Sequence, residues 1–236
     1  MSVYTFSNKE ILETELLQGN LSDASINNSN LDTLQSNNAV WQKTDMTDSN
    51  CNDAAFYNTK FSDCSFFRSS MINSQFTKCT FNNTKHSGIS FIKVHINNSK
   101  IENHLFDSCT MQRAVLNKVT IQNSSLKDFE AVYADIKDTV FIHCLFELNY
   151  GSGSNGFSGA ALQNCIFINC SFSGYPMRGS KLTNCTFINC SGETTDDFEA
   201  DNTFGLPYCE SAKEIPITNR EQAMELLNKL EEVKNV

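Results

Sequence analysis

Proline and glycine are scarce here, with three and ten in 236 residues. Despite its many Asn, Ser and Thr residues, the chain does not have the make-up of low-complexity disorder. No run of basic residues occurs, so direct nucleic-acid binding has little support. No stretch is long and apolar enough to span a bilayer, and the start MSVYTFSNKE lacks a charged region followed by an apolar one. The expectation is a soluble bacterial cytoplasmic protein, with export by a route that needs no cleaved signal left open.

Catalytic signatures are missing as well. There is no G-x-x-x-x-G-K, no HExxH, no nucleophile elbow and no CxxC. Carboxylates are scattered and form no recognisable acid–base pair. The expectation is a protein that is not an enzyme, with no catalytic residues, no cofactor and no metal. Charge is uneven. Of 27 acidic and 18 basic residues, 11 and 4 fall in residues 193–236, which leaves the preceding body at −2 of the net −9.

What the sequence does have is a five-residue period. From Phe56 to Phe146, every fifth residue is large and apolar (Phe61, Phe66, Met71, Phe76, Phe81 and onward) except His86, Ala131 being the smallest. Two residues before each step runs a mostly small column that includes Ala54, Thr59, Cys64, Ser69 and Cys79. Neither a helix (period 3.6) nor a flat strand (period 2) gives this spacing; a fixed short period means a solenoid. The phase extends back through Trp41, Leu31, Ile26, Leu21, Leu16, Ile11 and Phe6, with one break at Ser36. Residues 1–20 read as an N-terminal cap or first turn, and residues 7–19 are compatible with a short helix. At Leu34/Ser36 and Phe129/Ala131 the large and small positions are exchanged. Such exchanges conserve volume if both columns point inward. His86 and His104 fall in these columns and read as core imidazoles with hydrogen-bond partners. His95 and His143 lie outside them and read as solvated. Two residues after each large one comes an Asn/Asp-rich column (Asp53, Asn58, Asp63, Asn73, Asn83), which suits turns.

The phase fails after Phe146 and returns at Leu162. The stretch 147–159 reads as a loop inserted in the coil, and loops carry function disproportionately. Asn149, Tyr150, Ser152, Asn155 and Phe157 are its candidate partner-binding residues. Residues 193–236 read as an acidic linker followed by a helix over 217–233. That helix has a capping-box pattern at Thr218–Glu221 and one apolar face of Ala223, Leu226, Leu227, Leu230 and Val233. This face is the candidate dimer or cap surface. Of ten cysteines, eight occupy the small column, where free cysteine serves as a small hydrophobe.

The pattern small–polar–Phe/Leu–x–x, as in Cys64-Ser65-Phe66-Phe67-Arg68 and Cys185-Thr186-Phe187-Ile188-Asn189, resembles the pentapeptide-repeat family over about residues 21–192. The resemblance implies an all-β solenoid, a right-handed quadrilateral parallel β-helix with four pentapeptides per coil and roughly eight coils. Stacked at about 4.8 Å, these form a rod about 40 Å long. Some members of this family resemble duplex DNA and dock in the DNA site of DNA gyrase, relieving quinolones or toxins, with a projecting loop and a C-terminal pairing helix. The resemblance therefore implies gyrase or another topoisomerase as partner and a homodimer through 217–233. The near-neutral body departs from DNA mimicry. The alternatives are a secreted effector or interaction scaffold, and an accessory protein in a biosynthetic or resistance cluster.

Overall fold

A computed structural model describes residues 5–7, 20–149, 153–183, 185–188, 190–192 and 213–215. Its side chains are described from residue 20 to 192, save a few positions near the end. The chain winds as a parallel β-solenoid. Phe56, Phe61 and Phe66 each centre a three-residue strand, Ala55–Tyr57, Lys60–Ser62 and Ser65–Phe67. Met71 centres a fourth side, where successive coils meet through isolated bridges such as Asn50↔Ser70↔Ser90. Strands on the same side pair in parallel at an offset of twenty residues, as in Phe56↔Phe76 and Phe61↔Phe81. The result is three sheets of eight, ten and ten strands.

The five-residue step works because every corner is turned by one residue in the left-handed region. From Asp23 to His143 each fifth residue has positive φ, between 45° and 63°. Asn and Asp tolerate that conformation best among residues with a side chain, which explains their excess in this column. Thr33, Lys43, Arg68 and Tyr133 adopt it as well, because the stacked coils fix the corner whatever residue occupies it. The extended piece between corners points its central side chain inward and the flanking ones outward.

Both columns are buried, as their exchanges require. Leu34 with Ser36 and Phe129 with Ala131 all lie in the core. Rings stack along the axis: Phe56 on Phe76 at 4.8 Å, Phe61 on Phe81 at 4.6 Å, Phe141 on Phe167 at 4.7 Å. The preference for Ser, Thr and Cys in the small column has a second cause beyond size. Several donate to a carbonyl of the large column one coil earlier: Ser74 Oγ to Cys51 O at 2.6 Å, Thr59 Oγ1 to Ser36 O at 3.0 Å, Cys64 Sγ to Trp41 O at 3.2 Å. A small donor thus satisfies a buried carbonyl while leaving room for the ring beside it.

The phase reaches back to the start of the chain, where Thr5–Ser7 pairs with Ser25–Asn27 and places Phe6 beside Ile26. Of the possible helix at 7–19, Ser7 ends this strand and residues 8–19 lie outside the described residues. Toward the other end, Lys213–Ile215 adds a strand beside Thr186–Ile188. The helix at 217–233, with Ala223, Leu226, Leu227, Leu230 and Val233, also lies outside the described residues. Among the described residues no helix is long and apolar enough to cross a membrane.

Candidate functional site

Among the described residues from 20 to 192 the regular coil is interrupted once. Phe146 keeps its place in the column, pairing with Leu126 and Phe172. On the next side Glu130 bridges Gly156, twenty-six residues on, where every other bridge on that side spans twenty. The chain therefore carries six extra residues between Phe146 and Phe157. The expectation that the whole of 147–159 stands out from the coil is corrected here. Phe157 is 2% exposed and packs edge-on to Phe129 at 4.9 Å. It occupies the large column over Ala131, whose missing bulk Phe129 supplies. As a core residue it is not a surface contact, and the register had already returned at Phe157, one step before Leu162.

The two ends of the inserted segment are pinned to the coil below. Asp128, at a corner with φ 46°, accepts from both the amide N–H and the Nδ2 of Asn149, at 2.8 and 2.7 Å. Its carbonyl accepts from Ser154 Oγ at 2.9 Å. Asn155 Nδ2 donates to Glu130 Oε1 at 3.2 Å and to Gly153 O at 3.3 Å. Asn149 and Asn155 are exposed, as expected of contact residues; Tyr150 and Ser152 lie outside the described residues. Three glycines make room for the detour. A Cβ on Gly156 would sit 2.3 Å from Pro176 O, and one on Gly174 would sit 2.1 Å from Leu148 O. A Cβ on Gly159 would meet the ring of Tyr133 at 2.6 Å. Tyr133 itself stays 67% exposed, covering this glycine at the corner.

Beside the insertion lies a hollow of about 590 Å³, lined by Leu148, Asn149, Ser154, Asn155, Tyr175 and Arg178 among others. Its walls are amide, hydroxyl, phenol and guanidinium groups, with the carboxylates of Asp128 and Glu130 engaged behind them. Such a surface offers hydrogen bonds to a partner and holds no paired acid and base. Among the described residues no cluster of His, Cys, Asp and Glu has the arrangement to hold a metal ion.

The two core imidazoles bond to each other. His86 Nδ1 lies 2.7 Å from His104 Nε2, and burial depresses both pKa values, that of His104 to about 3. His143 is exposed as expected, whereas His95 is half-buried with its Nδ1 lacking a hydrogen-bond partner. The thiols are buried with one exception, the half-buried Cys190; Cys209 lies outside the described residues. Desolvation raises Cys51 above its ordinary range, and Cys64 and Cys79 to about 11. Sequence reasoning missed Asp128 and Glu130, which anchor the insertion. The available signal was their place twenty residues before the interruption, on the coil it must rest on.

A four-sided coil of five-residue steps defines a class of protein. The family model described as "Pentapeptide repeats" matches residues 44–83 and 157–191, with eight copies. The same strands, corners and bridges continue between and beyond those segments, so the matched stretches and the rest of the coil share one repeat architecture. None of the curated proteins compared matches the sequence. Among solved structures, it is similar to a trypsin-treated form of QnrB1, described as a plasmid-mediated fluoroquinolone resistance protein. The identity is 12%, with 97% of each chain covered and a TM-score of 0.56. It is also similar to HetL, a pentapeptide repeat protein involved in heterocyst differentiation regulation from the cyanobacterium Nostoc sp. strain PCC 7120. There the identity is 13%, with 75% of this chain and 84% of that one covered and a TM-score of 0.46.

Proposed function

We propose that this pentapeptide-repeat protein is a non-catalytic binding protein of the bacterial cytoplasm and that DNA gyrase is its partner. The observation that carries the reading is the interruption of the coil between Phe146 and Phe157, pinned at Asp128 and Glu130 beside a polar hollow. A loop set on a rigid scaffold is where binding residues concentrate. The family includes members that dock in the DNA site of gyrase, and QnrB1, of the same fold, is described as a resistance protein against fluoroquinolones. On this reading residues 217–233 pair two rods about a two-fold axis, the commonest closed assembly. A dimer unchanged by removal of residues 217–236 in sedimentation would place the pairing elsewhere.

The charge pattern favours a second reading. Exposed charges neutralise one another along the rod, as in Arg68 with Asp48 at 2.6 Å and Lys137 with Asp135 at 2.9 Å. An interaction scaffold or secreted effector suits such a mixed surface better than a DNA mimic does. A gyrase supercoiling assay with and without a quinolone separates the two. Altered supercoiling or relief of drug-induced cleavage at micromolar protein supports gyrase. Unaltered gyrase at low salt rejects it and leaves the scaffold.

A further inference from the structure

The cysteines are spread evenly through the sequence, but they do not stack evenly in the fold. Twenty-residue registers place Cys64 between Thr44 and Thr84, and Cys79 between Thr59 and Ser99. Cys109 falls between Ile89 and Phe129. None of these thiols has another thiol above or below it. Near the C-terminal end the arrangement changes. Leu145, Ser171 and Ser191 are paired neighbours, which aligns Cys144, Cys170 and Cys190 in one column. Ile166 pairs with Thr186, which aligns Cys165 with Cys185 in the next. Cys170 Sγ donates to Phe141 O and Ile168 O at 3.5 and 3.4 Å, and burial together with the neighbouring Cys144 and Cys190 thiols raises its pKa. Cys190 is also the one described thiol that is not fully buried.

We propose that Cys170 and Cys190 form a redox modification site, which a hydroperoxide converts to a disulfide that clamps the last coil to the one before it. Stacked strands lie about 4.8 Å apart, inside the roughly 4.4–6.8 Å Cα separation a disulfide spans. Cys190, the accessible thiol, attacks one peroxide oxygen as the thiolate. The O–O bond breaks, and the other oxygen leaves as water, or as an alcohol from an organic hydroperoxide. Cys190 is then a sulfenic acid. The sulfur of Cys170 attacks that of Cys190, the S–O bond breaks, and the proton of Cys170 leaves with the hydroxyl as a second water. Two electrons pass from the sulfurs to the peroxide. Burial raises the pKa of Cys170 and shields it from peroxide in solvent, so the first step falls to Cys190 and Cys170 reacts only with the sulfenic acid stacked beside it. Oxidation adds a covalent tie between residue 190 and the coil it already pairs with; reduction by a dithiol removes that tie.

The test uses the full chain carrying Cys209→Ser, reduced and then treated with hydrogen peroxide. Remaining thiols are alkylated in denaturant, and the protein is digested with trypsin without reductant. Trypsin leaves Cys170 within residues 138–178 and Cys190 within 182–213. The expected product is these two peptides joined, with fragmentation placing the bond at Cys170 and Cys190, and the bond lost on adding dithiothreitol. Cys190→Ser and Cys170→Ser should each abolish it, whereas Cys185→Ser should not. Serine already stands in the small column at Ser69, Ser74 and Ser99, so these variants keep the packing. Three results overturn the proposal: a linkage that survives Cys190→Ser, a bond placed at Cys165 and Cys185, or Cys190 oxidised to the sulfinic acid with no joined peptides.

Discussion

His86 Nδ1 and His104 Nε2 meet at 2.7 Å in the core, with His86 stacked between Phe66 and Phe106. A neutral imidazole has one donor and one acceptor. This one bond leaves Nε2 of His86 and Nδ1 of His104 without partners. The neighbouring polar contacts are neutral: the Cys109 thiol donates to His86 O, and Ser124 Oγ accepts from the His104 amide. Nothing there compensates a proton, so both pKa values fall below the usual 6.5, mainly through burial.

The linkage gives a signed pH prediction. The unfolded chain binds these protons below about pH 6.5 and the folded chain does not, so stability is full above that value and falls as pH drops through it. Each imidazole contributes a slope of up to about 1.4 kcal/mol per pH unit. Urea unfolding between pH 7.5 and 5, above the range where carboxylates dominate, is the measurement. His86→Phe with His104→Ser should flatten the profile in that window. An equal slope in wild type and double variant sinks the account.

Phe61 touches rings on its own coil and on both neighbours. It stacks on Phe81 at 4.6 Å and meets Trp41, Phe56, Phe66 and Phe76 edge-on. Phe61→Ala should cost about 3–5 kcal/mol, through lost transfer energy and the cavity left between stacked rings. A loss below about 1 kcal/mol in denaturant unfolding would show that the column collapses to fill the gap.

Gly153 and Gly174 have nearly the same backbone, φ 75° and 74°, but different surroundings. A Cβ on Gly153 meets nothing within 4 Å, whereas one on Gly174 falls 2.1 Å from Leu148 O. Gly153→Ala should therefore cost only backbone strain, on the order of 1 kcal/mol. Gly174→Ala should cost more, because it must also push the insertion away from the coil. Equal destabilisation of the two variants would show that strain alone limits these positions.

How much of this was legible follows from period. Phe56 to Phe146 in steps of five could only be a solenoid. The exchange at Phe129 and Ala131 already implied that both columns point inward. The six-residue insertion was harder to read. Counting forward from Phe146 does not find Phe157, since eleven residues separate them and Asn155, two before it, is polar and exposed. Its place follows from pairing with the coil below, where Glu130 meets Gly156, a contact distant in sequence. The His86–His104 bond was half visible, because both residues fell in inward columns, but their meeting needed the rungs eighteen residues apart to be stacked. Partner identity was not legible, since it rests on outward side chains that the five-residue period leaves unconstrained.

That last point shapes the functional test. Removing residues 149–154 would join Leu148 to Asn155 and return Phe146 and Phe157 to a five-residue step. The excision deletes Asn149 and its bonds to Asp128, yet keeps every stacked ring of the core. A stable scaffold tolerates such a change in a connecting segment. Circular dichroism should be unchanged and the melting temperature within a few degrees of wild type. If gyrase is the partner and the insertion its contact, the excised protein should lose its effect on supercoiling and on drug-induced cleavage. The wild-type effect should also weaken as salt rises, because an acidic ligand in a basic groove is screened beyond about 10 Å at 0.1 M. A folded excision variant that still acts on gyrase would move the contact to the regular faces of the rod. A wild-type effect insensitive to salt would instead point to an interface built on the neutral amide and hydroxyl groups around the hollow.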